Sequence, residues 1–249
     1  MSLQTQPAAP LPSQAGGRLT LPIQTGMDDE VRRLIARLGA DAVRNSDGTE
    51  LPGIVSELAT KVYSTYFVGR GDNAWADAHP DEATRIFLMS DRVSATADGP
   101  VSIDLLASWF ADQVRPDTGC DVTRWWQAHD RTTGQELPVS AWSIGADGRT
   151  VTVHEALAGH VYTVSFLAIQ TWDPTQMYNY LTNGWDEDPT RVKEKPFDVR
   201  HEATWSHVRT HLSAWLAEHP EVDVVRFTTF FYHFTLVYGA DATERFVDW

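Results

Sequence analysis

The stretch that decides the fold is MDDEVRRLIARLGADAVRNSDGT, residues 27–49. Its first part predicts an amphipathic helix, because its apolar residues share one stripe at helical spacing: Val31, Leu34, Ile35 and Leu38. Acidic residues 28–30 stand in the first turn, where the helix dipole favours negative charge, and Gly39 ends the helix. The following ADAVRN predicts a short strand that runs into an Asp-Gly turn. A helix leading directly into a strand is typical of parallel βα units.

The same alternation continues on both sides of this stretch. Upstream, RLTLP at residues 18–22 is a short extended run, and downstream IVSELAT (54–60) predicts a helix that leads into the strand KVYSTYF (61–67). Further along, the segment 203–220 predicts a helix between two apolar runs typical of strands buried on both faces of a parallel sheet. We expect four strands to be parallel neighbours: residues 41–46, 61–67, 162–171 and 223–231.

The segment between these units has a different character. RIFLMSDRVSAT, LPVSAWSI and RTVTVHEA are rich in strand-forming residues, GADGR between the last two predicts a hairpin, and one helix is predicted at SIDLLASWFADQV (102–114). The predicted organisation is a flexible tail at 1–17, the first βα units at 18–83, a mostly antiparallel β-rich insertion at 84–165, and further βα units at 166–249.

The number of strands limits the architecture. A (β/α)₈ barrel needs roughly 250 residues of scaffold, and each βα step needs about 30. Four strands are about half of that, so two interpretations remain: a small open α/β domain, or a barrel cut in the middle. We favour the second, an α/β fold of the (β/α) TIM type that is partial or broken, with a β-rich insertion.

Composition excludes several functions. The 249 residues include 42% hydrophobic and 11% aromatic residues, enough for a real core, and the net charge of −14 disfavours nucleic acid and anionic membranes as partners. The single cysteine, Cys120, cannot form an internal disulfide. Neither a signal peptide nor a membrane span is evident, so we expect a soluble, cytoplasmic protein. The nine histidines are scattered, and no pair has a metal-ligand spacing backed by a third ligand, so no metal site is predicted.

Polar residues interrupt the apolar runs where strands end, which is where parallel barrels carry their reactive groups. Arg44 and Asp47 follow the first strand, although Asp47 also fits a simple turn. Arg226 lies within VVRFTTFF, where its guanidinium either pairs with a carboxylate or is directed at a ligand anion or hydroxyl. Trp172 and Trp185 are either platforms for a sugar ring or core residues.

These residues also carry a resemblance. GADAVRNSDGTEL, KVYSTYF, RGDNAW, TWDPTQMYNYLTNGW and DVVRFTTFFYHFTL are similar to the N-terminal part of the β-galactosyl-N-acetylhexosamine phosphorylases, which include lacto-N-biose and galacto-N-biose phosphorylases and galactosyl-rhamnose relatives. The resemblance runs from about residue 17 to residue 249. Blocks such as MYNYLTN and VVRFTTFFY are long and rare, so this signal is more specific than a turn motif.

The resemblance implies a partly broken barrel and a hexosyltransferase-type enzyme. Phosphate cleaves a β-galactosyl bond with inversion and gives galactose 1-phosphate, and one carboxylic acid protonates the leaving oxygen. The partners are a disaccharide and phosphate, phosphate is a co-substrate with no other cofactor, and homo-oligomers are possible. The acid is expected downstream of this chain, so we expect the chain alone to be inactive.

The resemblance also suggests roles for individual residues. The substrate-binding candidates are Tyr178, Asn179, Arg226, Thr175 and Asp47. Among them Thr175 is expected to tune the acceptor sugar, while Arg44 is suggested for phosphate. Three alternatives remain: a galactosyl-rhamnose phosphorylase relative, a non-catalytic sugar-binding or scaffolding module, and a hydrolase using Asp47 and Asp173. The carboxyl groups of that hydrolase would have to lie about 5–9.5 Å apart.

Overall fold

The computed structural model describes residues 19–45, 50–109, 112–185, 187–227, 235–237 and 246–248. The chain divides into two compact units: residues 1–68 with 205–229, and residues 69–204 with 230–249. The helices are α1 (Asp28–Leu38), α2 (Asn73–Ala78), α3 (Val122–Trp125), α4 (Pro174–Asn183) and α5 (Glu202–Glu218), with 3₁₀ helices at Gly53–Glu57, Pro80–Glu82 and Val139–Ala141.

The strands, in chain order, are β1 (Thr20–Ile23), β2 (Ala42–Asn45), β3 (Lys61–Tyr66), β4 (Arg85–Met89), β5 (Val93–Ser94), β6 (Gly99–Asp104), β7 (Val114–Pro116), β8 (Gln127–Asp130), β9 (Gln135–Glu136), β10 (Trp142–Ile144), β11 (Thr150–Ala156), β12 (Val161–Gln170), β13 (Val224–Phe227), β14 (Thr235–Val237) and β15 (Phe246–Asp248). Among the described residues, none of the helices is long and apolar enough to cross a membrane.

The first unit holds a four-stranded sheet in the order β1-β2-β3-β13. All three pairings are parallel, as predicted for three of these strands. The order follows the chain, with each strand beside its predecessor in the sheet, which is how the strands of a β/α barrel succeed one another. Over the described residues the sheet is open, so the unit is a partial barrel.

Helices pack on one face of this sheet. Val31 of α1 joins a core with Ile23, Val43 and Val62, which point to the same side of β1, β2 and β3. On that same face Tyr66 contacts Trp215 of α5, with ring centroids 5.5 Å apart. The helix α1 ends where the sequence predicted, because Gly39 adopts a left-handed conformation (φ 64°) and its N–H bonds to the Ile35 carbonyl.

The second unit is built on antiparallel sheets. Its central strand, β12, pairs antiparallel with β4, β5, β7 and β8, and a separate three-stranded sheet has the order β10-β11-β6. The predicted hairpin is confirmed, since β10 and β11 pair antiparallel on either side of GADGR. The core of this unit includes Trp126, Phe166, Ile103 and Val164, all almost fully buried.

The prediction that residues 162–171 form a parallel neighbour of the barrel strands is wrong. This run became β12, which is buried along most of its length but lies in the antiparallel sheet. Here β12 is buried along most of its length although it lies in an antiparallel sheet, so a continuous apolar run does not by itself identify a parallel strand. The expected boundary at 165/166 falls inside this strand, and β1 supplies the fourth parallel strand.

The helix predicted at residues 102–114 is also wrong for its described part. Residues 99–104 form β6, in which the fully buried Ile103 pairs with Val151 of β11. The strand ends at Asp104, whose carboxylate accepts a hydrogen bond from the Leu106 N–H (3.0 Å) and two more from Arg149 (2.6 and 2.7 Å). Pairing with a distant strand therefore overrides the local helical spacing.

Candidate functional site

Four side chains form a row on the face of the parallel sheet opposite to its helices. In the register of the sheet Arg44 lies beside Tyr63, and Arg226 lies beside Thr65. Residues in register across parallel strands point to the same side, and so do Tyr63 and Thr65, which are two positions apart. Both arginines are half-buried, and both lie near the C-terminal ends of their strands.

The spacing of the row allows the two guanidinium groups to reach one ligand. The two arginines lie on strands on either side of β3 and two residues apart in register, so their Cα atoms are about 12 Å apart by ideal sheet dimensions. Guanidinium groups bind phosphate through paired N–H donors and also donate to sugar hydroxyls. Two cations at the C-terminal edge of a parallel sheet therefore suit a ligand that carries an anion, hydroxyls, or both.

A buried asparagine fixes the ends of the two strands beneath this row. The amide of Asn45 donates to the Ser64 hydroxyl (3.1 Å) and accepts from the Thr65 N–H (3.3 Å). Asn45 is only 4% exposed and lies on the helix-covered face, so these bonds hold β2 against β3. The sequence suggested no role for Asn45; the polar break after an apolar strand was the available signal. Arg44 Nη1 in turn donates to the carbonyl of Asn45 (3.4 Å).

The second unit supplies the helix that carries the MYN block of the resemblance. Helix α4 begins after Asp173, whose carboxylate accepts from the N–H of Gln176 (2.8 Å), and Pro174 occupies its first turn. Gly184, in a left-handed conformation (φ 67°), ends the helix. Asp173 therefore serves as a helix cap, a structural use of the carboxylate that the hydrolase interpretation assigned to catalysis.

Gln176 ties α4 to the loop that follows it. Its side-chain oxygen accepts from Trp172 Nε1 and from the backbone N–H of Glu194, both at 2.7 Å, and its amide nitrogen donates to the Val192 carbonyl (3.0 Å) and the Tyr180 hydroxyl (3.1 Å). With 5% exposure and four bonds, this side chain is fully used. Nothing in the spacing of the sequence distinguished it.

The two tryptophans have different environments. Trp172 is fully buried against Met177, and Lys193 Nζ lies 4.4 Å from its ring centroid, so it is a core residue. Trp185 is 41% exposed just after α4, and the Arg191 guanidinium lies 4.6 Å from its ring centroid. Of the two proposed sugar platforms, Trp185 alone offers an accessible ring.

The predicted site residues are placed unequally. Arg44 and Arg226 share one face of one sheet, as a common ligand requires. Asp47 lies outside the described residues. Helix α4 contains three further candidates whose side chains lie outside the described part of the chain: Thr175, Tyr178 and Asn179. The ligand-binding roles of all six residues stay predictions.

Known proteins place the chain in context. A 1,3-beta-galactosyl-N-acetylhexosamine phosphorylase of Lachnoclostridium phytofermentans is 42% identical over 233 residues, which are 94% of this chain and 32% of that protein. One of the same name from Bifidobacterium longum subsp. longum is 44% identical over 94% of this chain and 30% of its own length. A D-galactosyl-beta-1->4-L-rhamnose phosphorylase of Lachnoclostridium phytofermentans is 34% identical, with 32% of its length covered.

The chain thus spans about a third of the length of these relatives. Residues 17–249 match the family described as the lacto-N-biose phosphorylase N-terminal TIM barrel domain. That description agrees with the open run of parallel strands in the first unit. With nearly all of its length matched, the chain belongs to the family of lacto-N-biose phosphorylase N-terminal TIM barrel domains.

Proposed function

We propose that this chain is the N-terminal portion of an inverting phosphorylase that cleaves β-galactosyl-N-acetylhexosaminides with phosphate and releases galactose 1-phosphate. The observation that carries the proposal is the row on the parallel sheet, with Arg44 and Arg226 on one face near the strand ends. The names of the relatives support the same reaction class.

In this proposal the two arginines bind different parts of the reacting ligands. Arg44 binds the attacking phosphate, and its permanent charge holds the anion beside the anomeric carbon. Arg226 donates to hydroxyls of the galactosyl ring, and the Asp47 carboxylate accepts from them. The resemblance gives Tyr178 and Asn179 of the second unit as further sugar-binding candidates. Thr175 contacts the acceptor sugar. The carboxylic acid that protonates the leaving oxygen comes from the longer protein, and phosphate itself is the nucleophile, so a second carboxylate is unnecessary.

The proposal is tested by assaying the release of galactose 1-phosphate. This chain and the longer natural polypeptide that contains it are incubated separately with phosphate and lacto-N-biose, galacto-N-biose or galactosyl-rhamnose. We expect product only from the longer protein. Turnover by the 249-residue chain alone would contradict the assignment of the acid to the missing part.

Variants in the longer protein test the two arginines. Arg226→Ala removes a charge-assisted hydrogen bond worth roughly 1.5–3 kcal/mol, so kcat/KM should fall by about one to two orders of magnitude. Arg44→Ala should raise the KM for phosphate more than that for the disaccharide. The matched control is Arg209→Ala on the exposed surface of α5, which should leave both constants unchanged.

Two other functions are separated by the same assays. A galactosyl-rhamnose phosphorylase, which the 34% identical relative favours, would release galactose 1-phosphate only from the rhamnose substrate. A non-catalytic sugar-binding module would release it from none of the three disaccharides. If the longer protein binds galactosides but does not turn them over, it is a non-catalytic sugar-binding module.

A further inference from the structure

Helix α5 brings two histidines together on one side of its middle turns. His207 and His211 are four residues apart, which places them one helical turn apart on the same face. Their ring centroids are 4.0 Å apart, with the ring planes inclined by 48°. His211 is exposed, so an ion reaches the pair from its side, whereas His207 is half-buried with its Nε2 covered.

Two other pairs of rings, each four residues apart, are explained by their position at a helix end. His79 stacks on Trp75 and His219 stacks on Trp215. In both pairs Nδ1 of the histidine lies at hydrogen-bond distance from the carbonyl four residues earlier, at 3.0 and 2.8 Å. Each histidine directly follows the last residue of its helix, and the Trp75 carbonyl also accepts from the backbone N–H of His79 (3.0 Å). These two histidines therefore complete helix ends.

That explanation does not extend to the pair in the middle of α5. There the backbone carbonyls accept from N–H groups one turn later within the helix, so imidazoles are not needed as caps. The pair instead presents two ring nitrogens on one face of the helix. A ring nitrogen of His207 lies within 4.8 Å of a ring nitrogen of His211. Two imidazole nitrogens bound at about 2.0–2.1 Å to a tetrahedral ion lie about 3.3 Å apart. Small rotations of the side chains close that difference.

We propose that His207 and His211 form a binding site for a divalent ion of the zinc, nickel and copper group. Two imidazoles bind the ion from successive turns of α5, and water fills its remaining positions. The site is distinct from the proposed phosphate and sugar site, because α5 packs on one face of the parallel sheet and the two arginines lie on the other. It acts on the stability of the first unit.

The ligand set determines which ions bind. Imidazole nitrogen suits zinc, nickel and copper, whereas magnesium and calcium require oxygen ligands. Affinity for nitrogen sites rises from nickel to copper and is lower again for zinc. We therefore expect copper(II) to bind more tightly than nickel(II) or zinc(II), and magnesium and calcium not to bind this pair.

The test uses the full chain without a histidine tag, titrated with zinc(II) or nickel(II) by calorimetry and followed by thermal unfolding. Binding to the folded state alone stabilises it by mass action. At free metal tenfold above Kd, Tm should rise by about 3–6 °C. His211→Asn should weaken binding by about 10²-fold, because the second tethered contact is lost, and should abolish the shift. His207→Asn should do the same.

Two controls make the result specific. His219→Asn keeps the pair and should retain wild-type affinity, and Cys120→Ser removes the single thiol and should also retain it. The exposed His211→Asn carries the test if His207→Asn disturbs folding. Equal zinc affinity in wild type and His211→Asn, or no binding by the wild type at millimolar metal, would overturn the proposal.

Discussion

At the scale of single residues, the different environments of Trp172 and Trp185 lead to opposite expectations. Trp172→Ala empties a fully buried position and should lower the free energy of unfolding by about 3–5 kcal/mol. Trp185→Ala removes an exposed ring and its contact with Arg191, which should cost less than about 1 kcal/mol. Urea unfolding followed by circular dichroism measures both. Equal losses would make Trp185 a core residue and remove it as a sugar platform.

A buried carboxylate in the second unit leads to a prediction about pH. Asp130, 6% exposed, accepts from the Thr132 N–H at 2.9 Å and lies 2.7 Å from His160 Nδ1. Burial by itself raises the pKa of Asp130, but these hydrogen bonds outweigh burial and hold the pKa below its ordinary value. Asp130→Ala should therefore destabilise the fold by about 3 kcal/mol near pH 7.

The sign of this pH dependence follows from the lowered pKa. A carboxylate whose pKa is depressed in the folded state stabilises fully above its unfolded pKa of about 4 and loses that effect as the pH falls through the folded value. The difference in the free energy of unfolding between wild type and Asp130→Ala should therefore become smaller below about pH 4. Asp130→Asn, which lacks this titrating group, is the control. A gap that stays constant from pH 7 to pH 2.5 would contradict an ionised Asp130.

At the scale of elements, α4 depends on the cap at its first turn. Asp173→Ala should cost about 1 kcal/mol and weaken the helix that carries Tyr178 and Asn179, whereas Asp173→Asn preserves the cap. Thermal unfolding of the chain and kcat/KM of the longer protein measure the two effects. If Asp173 were the carboxylate of a hydrolase, Asp173→Asn would lose activity by orders of magnitude while remaining stable.

Elements governed by local rules were predictable from the sequence, and those governed by distant partners were not. Helix α1 follows from its stripe of apolar residues, and strand β3 from a run of strand-forming residues. The end of helix α5 follows from the closing signal His219-Pro220. The strand β12 was found as a strand but assigned to the wrong sheet, because burial on both faces leaves the direction of its neighbours open. Residues 102–104 begin a stretch whose apolar residues have helical spacing, yet these three residues form a strand because they pair with β11.

The candidate site divides in the same way. Arg44 and Arg226 were recognisable because each breaks an apolar strand near its end, and their common face follows from strand register once the sheet order is known. Gln176 was not recognisable, since it works through contacts with backbone groups far along the chain. Asn45 offered only the polar break after its strand as a signal, and its partners, Ser64 and Thr65, lie on another strand. The spacing of apolar residues along the sequence indicates helices and strands, but it does not indicate which distant backbone amide a buried polar side chain will bond to.

At the scale of the whole molecule, the open parallel sheet predicts self-association. Over the described residues β13 pairs on one side only, with β3, and its last residue, Phe227, is 47% exposed. An apolar strand edge invites pairing with another chain. The purified chain should sediment as oligomers or aggregates in analytical ultracentrifugation, and Phe227→Lys should reduce them.

A helical position separates this edge effect from surface hydrophobicity in general. Leu216 of α5 is 42% exposed, similar to Phe227, but it does not lie on a strand edge. Leu216→Lys should therefore leave self-association unchanged. A monodisperse wild-type chain that melts cooperatively would show that the sheet edge is satisfied within this polypeptide.

The loop after α4 is anchored in a way that bears on how the protein evolves. The backbone of residues 192–195 is bonded from outside the loop: Gln176 bonds to the Val192 carbonyl and the Glu194 N–H, while Asn73 bonds to the Lys193 carbonyl and the Lys195 N–H. Because these anchors bond to main-chain atoms, they hold the path of the loop whichever side chains it carries. Of those side chains, Lys193 and Lys195 add ion pairs with Asp112 and Asp77. We expect substitutions to be tolerated less at Gln176 and Asn73 than in the loop itself, because losing either amide releases two of the bonds that hold the loop backbone.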